Sequence, residues 1–191
     1  MSDSTIVGKK IKSIRESKNI SIDELSERSG LTTVQISSIE ESENLPSLAP
    51  LIKIARVLGV RLGTFLDDND ELGPVISRKD TKKESISFSG GATNARTHME
   101  YFSLAGQKSG RHIEPFIIDI QFGKDDKYVL SAHEGEEFIY VLEGEVEVNY
   151  GKDVYLLTQG DSIFYDSIVE HHVHAKEGKA AKILAVVYAP I

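Results

Sequence analysis

In the stretch "SAHEGEEFIYVLEGEVEV", residues 131–148, His133 stands four residues before Glu137 and just ahead of an alternating strand. An imidazole nitrogen and a carboxylate oxygen both bind divalent cations. The Glu134-Gly135-Glu136 turn between them lets both side chains point to one centre. The pair offers half of the donor set a metal site needs. Ser131, two residues before His133, stands where a fuller site offers a second imidazole. On residue types alone the stretch reads as a working metal centre, an emptied one, or a turn between strands. The chain has no cysteine, which excludes disulfides, thiolate metal sites and cysteine nucleophiles.

The elements that must position these residues change character along the chain. Its 191 residues suit one medium domain or two small ones and can bury a core. Up to Leu66 the apolar residues recur with helical spacing: Ile11-Ile14, Ile22-Leu25, Ile36-Ile39 and Leu48-Leu51-Ile54-Leu58. The acidic run "DDNDELGP", residues 67–74, then marks a domain edge. Beyond it the period becomes two, in "EPFIIDIQF", "EFIYVLEGEVEVNY", "VYLLTQ", "DSIFYD" and "AKILAVVYA". Residues 80–97 read as a strand with an irregular loop. We therefore expect an α+β two-domain chain: an all-α unit over 1–66, a linker over 67–79 and an all-β sandwich or barrel over 80–191.

The formal charge of −8 is uneven: residues 1–66 carry nine Lys/Arg against eight Asp/Glu, and residues 67–191 thirteen against twenty-two. Any contact with DNA must come from a local basic face of the first unit. No apolar run approaches the ~20 residues a membrane helix needs, and the start has no signal-like segment. A cytoplasmic chain with no membrane partner is expected.

Within the first unit, Ser21 followed by Glu24 forms a capping box, and Gly30 supplies a tight interhelical turn. A short helix then runs from about Thr32 to Glu41, with Ile36 and Ile39 inward and Thr33, Val34, Ser37 and Ser38 outward. Short outward side chains let a helix approach base edges in a major groove. Pro46 ends the next loop, and Ser47 is placed to cap the following helix. The phrase "ELSERSGLTTVQISSIEESENLPSLAPLIKIARVLGV" resembles the XRE-type, lambda-repressor-like helix-turn-helix family in its ordered spacing from Glu24 to Gly59. The resemblance, over roughly 6–66, implies five helices with the third as the recognition helix. It implies Thr32, Thr33, Val34, Gln35, Ser37 and Ser38 as base- or phosphate-facing residues. Lys9, Lys10, Lys12 and Arg15 of the first helix are further phosphate candidates, as are Lys18, Lys53 and Arg56. Glu41 and Glu43 follow the recognition helix where the family carries a base, and they oppose phosphate.

In the second unit, His133, Glu137 and Gly144, followed by Gly160-Asp161 and His171, resemble the two motifs of the cupin family. That resemblance implies a jelly-roll double-stranded β-helix barrel with core motifs over about 129–175. It implies His171 as the third ligand beside His133 and Glu137. Two imidazoles and a carboxylate leave coordination positions open and suit a divalent metal, iron or zinc preferred, with no organic cofactor. Ser131 makes this a three-ligand face rather than a four-ligand cage. His172 and His174 are expected on the opposite strand face, and His98 and His112 on the surface. The effector pocket is expected to draw on Tyr101, Phe116, Tyr128, Tyr140 and Phe164, with Phe138 and Tyr188 in the same pool.

Joined, the halves resemble the XRE–cupin class of transcription regulators. That implies a homodimer that binds a double-stranded operator and responds to a small-molecule effector; Arg96 or Arg111 would suit an anion and acidic interiors an amine. The same layout also resembles the iron epoxidases of hydroxypropylphosphonate, which have a serine before His-x-x-x-Glu. A mononuclear non-haem iron oxygenase is therefore the alternative. Phe102, Leu104, Leu130, Val187 and Asn19 stand where those enzymes hold substrate with other side chains.

Overall fold

The computed structural model describes residues 3–41, 47–66, 74–78, 86–88, 99–108, 110–121, 130–176 and 178–190. Tyr128, Arg96, His98, Pro46, Glu43 and most of the linker lie outside the described residues.

Helical periodicity becomes five helices: α1 (Asp3–Ser17), α2 (Ile22–Ser29), α3 (Thr33–Glu41), α4 (Leu48–Leu58) and α5 (Gly63–Leu66). Ile11, Leu25, Ile36, Ile39, Leu51, Ile54, Leu58 and Phe65 are all buried and form the helical core. Each such side chain removed from water contributes about 1.5–3 kcal/mol before the entropy of ordering is counted. The Ser21 hydroxyl accepts from the Glu24 N–H at 3.0 Å, and α2 ends at Gly30 with φ 70°. The box is half closed, because the Glu24 carboxylate turns to Arg28 at 3.1 Å. Ser47 corrects its expectation: it occupies the N-cap of α4 in an extended conformation, but its side chain makes no cap bond.

A fuller capping box opens α3 instead. The Gln35 side-chain carbonyl accepts from the Thr32 N–H at 2.9 Å, while the Thr32 hydroxyl accepts from the Gln35 N–H at 3.2 Å. Two backbone donors that helix geometry leaves unpaired are thereby satisfied.

The period-two segments become nine strands among the described residues: β1 (Ile86–Phe88), β2 (Met99–Ser103), β3 (Ile113–Ile120), β4 (Glu136–Glu143), β5 (Glu145–Tyr150), β6 (Asp153–Thr158), β7 (Ser162–Asp166), β8 (His171–Ala175) and β9 (Ala181–Tyr188). Every named pairing is antiparallel. One sheet has the order β1-β2-β3-β9-β4-β7 and the other β6-β5-β8. Strand alternation sends Phe116, Ile118, Ile120, Ile139, Val141, Val146, Val148, Ile183, Ala185 and Val187 into the barrel core. The outward residues of β6 and β7, including Val154, Leu156 and Phe164, remain exposed.

Candidate metal centre and nucleic-acid-facing helix

His133 and Glu137 bracket the loop that enters β4, and His171 is the first residue of β8. The backbone holds these segments together. Ser131 and His171 exchange both N–H···O bonds at 2.9 Å. The His133 N–H donates to Ser167 O, and the Ser167 N–H to Gly135 O, each at 2.9 Å. Gly135 makes the turn: its φ is +115°, and a Cβ there would lie 1.9 Å from the Tyr188 carbonyl oxygen. Only glycine fits that approach.

This ladder brings the ligand atoms of His133, Glu137 and His171 within 4.8 Å of one another. Glu137 Oε1 lies 2.8 Å from His133 Nε2 and 3.5 Å from His171 Nε2. Each imidazole turns its other nitrogen to a backbone carbonyl: His133 Nδ1 to Glu134 O at 3.0 Å, and His171 Nδ1 to Val169 O at 2.8 Å. A carbonyl only accepts, so these bonds put one proton on each Nδ1, and each Nε2 meets the carboxylate either with a second proton, as imidazolium, or with a lone pair open to a cation. Three acceptors that converge this way repel unless a proton or a cation lies between them. The Tyr165 hydroxyl completes the surroundings, donating to Glu137 Oε2 at 2.7 Å.

The electrostatics follow from this packing. Burial favours a neutral Glu137, but the hydrogen bonds and charges of His133 and His171 outweigh it and hold the carboxyl well below the usual range. Burial opposes the charged form of His171, yet bonding to Glu137 raises it. Burial, with the charge of Glu137, pushes the Tyr165 hydroxyl up, so it stays a donor. The residues fit a divalent cation: two lone-pair nitrogens with fixed tautomers, one ionised carboxylate, and a second donor shell already in place.

Tyr165 is the residue that sequence reasoning missed. Phe164 was expected in the pocket, but it lies on the outer face of β7 at 62% exposure; Tyr140 on β4 likewise faces out, at 39%. Glu137 pairs with Tyr165 across β4 and β7, so inward parity belongs to 137, 139 and 165. Of the remaining pool, Phe116 is wholly buried and stacks edge-on against half-buried Tyr101 at 5.5 Å, within the barrel. Tyr101 feels the Glu137 charge, which with burial pushes its hydroxyl up. His172 and His174 stack on each other at 5.4 Å, and His174 meets Glu147, away from His171. His112 is exposed. Arg111 is buried against Glu114 at 2.6 Å.

In the helical domain, α3 turns Thr33, Val34, Ser37 and Ser38 away from the core, with Thr32 and Gln35 exposed beside them; Val34 is 76% exposed. Lys9 and Lys12 are exposed on α1, and Lys10 is half-buried. Arg15 is a correction. It is buried, with Nε 2.7 Å from Glu40 Oε1, Nη2 2.8 Å from Glu40 Oε2, and Nη1 3.0 Å from the Ile20 carbonyl. Those bonds tie α1 to α3 and withdraw the guanidinium from phosphate. Lys53 and Arg56 line a cleft toward the barrel.

The helix-turn-helix family matches residues 11–65 and the cupin domain family residues 117–187. The chain is 30% identical over 151 residues to the (S)-2-hydroxypropylphosphonic acid epoxidase of Streptomyces wedmorensis, covering 73% of each. A crystal structure of FeII HppE superposes with a TM-score of 0.50 at 28% identity, covering 98% of this chain and all of that one. The HTH-type transcriptional regulator PuuR of Escherichia coli (strain K12) is 28% identical over 182 residues, 90% of this chain and 89% of its own. An HTH_3 family transcriptional regulator from Vibrio cholerae shares the fold over 99% of this chain and 97% of its own, with a TM-score of 0.66 at 23% identity. With both domains matched and the same layout in these relatives, the chain belongs to the two-domain family that joins an XRE-type helix-turn-helix to a cupin barrel.

Proposed function

We propose that the chain is a sequence-specific DNA-binding transcriptional regulator whose cupin domain binds a small-molecule effector beside a divalent metal. The observation that carries this reading is the outer face of α3, where Val34 stands exposed among Thr33, Ser37 and Ser38. An exposed apolar side chain on a helix of short, uncharged residues suits contact with a thymine methyl and close entry into a major groove. Similarity to PuuR over nearly the full length of both chains supports it. Lys9, Lys10 and Lys12 are the phosphate contacts in this reading. A homodimer would present two α3 helices to two half-sites.

In the cupin domain, His133, Glu137 and His171 would hold a divalent metal, iron or zinc. A bound divalent cation there supplies Lewis-acid character and open positions for an effector's oxygen or nitrogen. Tyr165 orients Glu137, and the two backbone carbonyls keep both imidazoles in the ligating tautomer. Effector binding must favour one arrangement of the DNA-binding domains, because equal affinity for both shifts nothing. A gel shift and footprint on DNA upstream of its own gene test the regulator. Specific retention at low salt is expected, and its absence would end this reading.

A second reading, a mononuclear iron oxygenase, is favoured by one observation: the two-histidine, one-carboxylate triad on a chain 30% identical to an iron-type epoxidase. Loading with Fe(II) and measuring oxygen consumption with (S)-2-hydroxypropylphosphonate separates the two. The regulator reading expects no turnover.

A further inference from the structure

A cleft of about 170 Å³ opens between the two domains, lined by Arg28, Lys53 and Arg56 on the helical side and by His133, Glu134 and Ile168 at the barrel mouth. We propose that this cleft binds a small anion, a carboxylate or a phosphate group, which competes with Glu134 for Arg56 and so releases the helical domain from the metal-ligand loop. The coupling rests on the regulator reading above; the anion binding does not.

Charge is the first ground. Three cationic side chains face a single carboxylate in the lining. Lys53 is half-buried and has no ion partner among the described residues, so its ammonium is open to an incoming anion. Arg28 pairs with Glu24 along α2, half exposed, and keeps donors to spare. Size is the second ground: the volume lies below the roughly 300–1,000 Å³ of pockets that hold drug-sized ligands, which restricts the occupant to a small molecule.

Placement is the third. Arg56 Nη1 meets Glu134 Oε1 at 2.6 Å, joining α4 to the loop that bears His133. The side chains are 58% and 41% exposed, and such a pair shifts an equilibrium at most about fivefold. An anion therefore displaces Glu134 at little cost. The carbonyl of the same Glu134 accepts from His133 Nδ1, so the residue that lets go of Arg56 also orients a metal ligand.

The test is calorimetric titration of the full chain, without DNA and at low ionic strength, with acetate, succinate and inorganic phosphate, and with ethylenediamine as a cationic control. At least one anion is expected to bind and the diamine not. The carboxylates and phosphate compared side by side identify which group the cleft prefers. Lys53→Gln should weaken binding about tenfold or more. Glu134→Gln removes the competitor and should tighten it by about two- to fivefold, a gain that misfolding does not produce. No anion binding below about 10 mM, or unchanged affinity in either variant, would overturn the proposal. Anion binding without any DNA retention would instead sink the regulator reading alone.

Discussion

Two buried clusters of ionisable groups differ in one respect. Arg15 and Glu40 form a closed unit: the guanidinium spends donors on both carboxylate oxygens and on the Ile20 carbonyl, and the side chains are 8% and 2% exposed. His133, Glu137 and His171 form an open one, with three acceptors turned toward each other and their outer atoms already bonded to the frame. Both are well buried. What separates structure from a site is whether the bonding capacity is used up.

Breaking the closed unit should have the largest effect. Arg15→Ala leaves Glu40 charged, buried and unpaired, and should destabilise the helical domain by about 3–5 kcal/mol in urea denaturation. A cost under about 1 kcal/mol would show that the pair is not buried in solution. The open unit should instead lose affinity and keep its fold. Tyr165→Phe removes the donor to Glu137 Oε2 and should weaken divalent-metal binding roughly 10- to 100-fold with little change in melting temperature. Competition with a metallochromic chelator measures it, and unchanged affinity would remove Tyr165 from the site.

Next in size comes the α3 cap. Thr32→Ala should cost about 1 kcal/mol of stability, because the Gln35 N–H loses its acceptor. Thermal unfolding measures that cost apart from any effect on DNA. The smallest effect belongs to the barrel exterior, where Phe164→Ala should stay within about 0.5 kcal/mol and leave metal affinity unchanged. A drop in metal binding would mean that Phe164 reaches the interior after all.

The same contrast explains what could be read from the chain. Helix starts and stops are local, so Ser21, Gly30 and the apolar spacing place α2 and α3 from sequence. The burial of Arg15 was legible too, since it lies four residues after Ile11 and shares its inward face. Residue type and position point opposite ways there, since an arginine suits a phosphate contact but its place on α1 is inward. In the barrel, parity along one strand is local but register between strands is not. Anchoring parity on Glu137 sends Tyr140 outward at once. Choosing Tyr165 over Phe164 needs the β4–β7 pairing, which no short stretch encodes. The cleft between domains lay further out of reach, because its walls come from residues 28–57 and 132–190.

Ser131 meets His171 through two main-chain bonds at 2.9 Å, and its hydroxyl adds only a long contact of 3.5 Å to the His171 carbonyl. Any residue that tolerates an extended backbone can make those two bonds. The placement of His171 thus rests on the backbone at 131 far more than on its side chain. A serine, an imidazole or an apolar group at 131 would each set different chemistry beside the triad, with the architecture that carries it left intact.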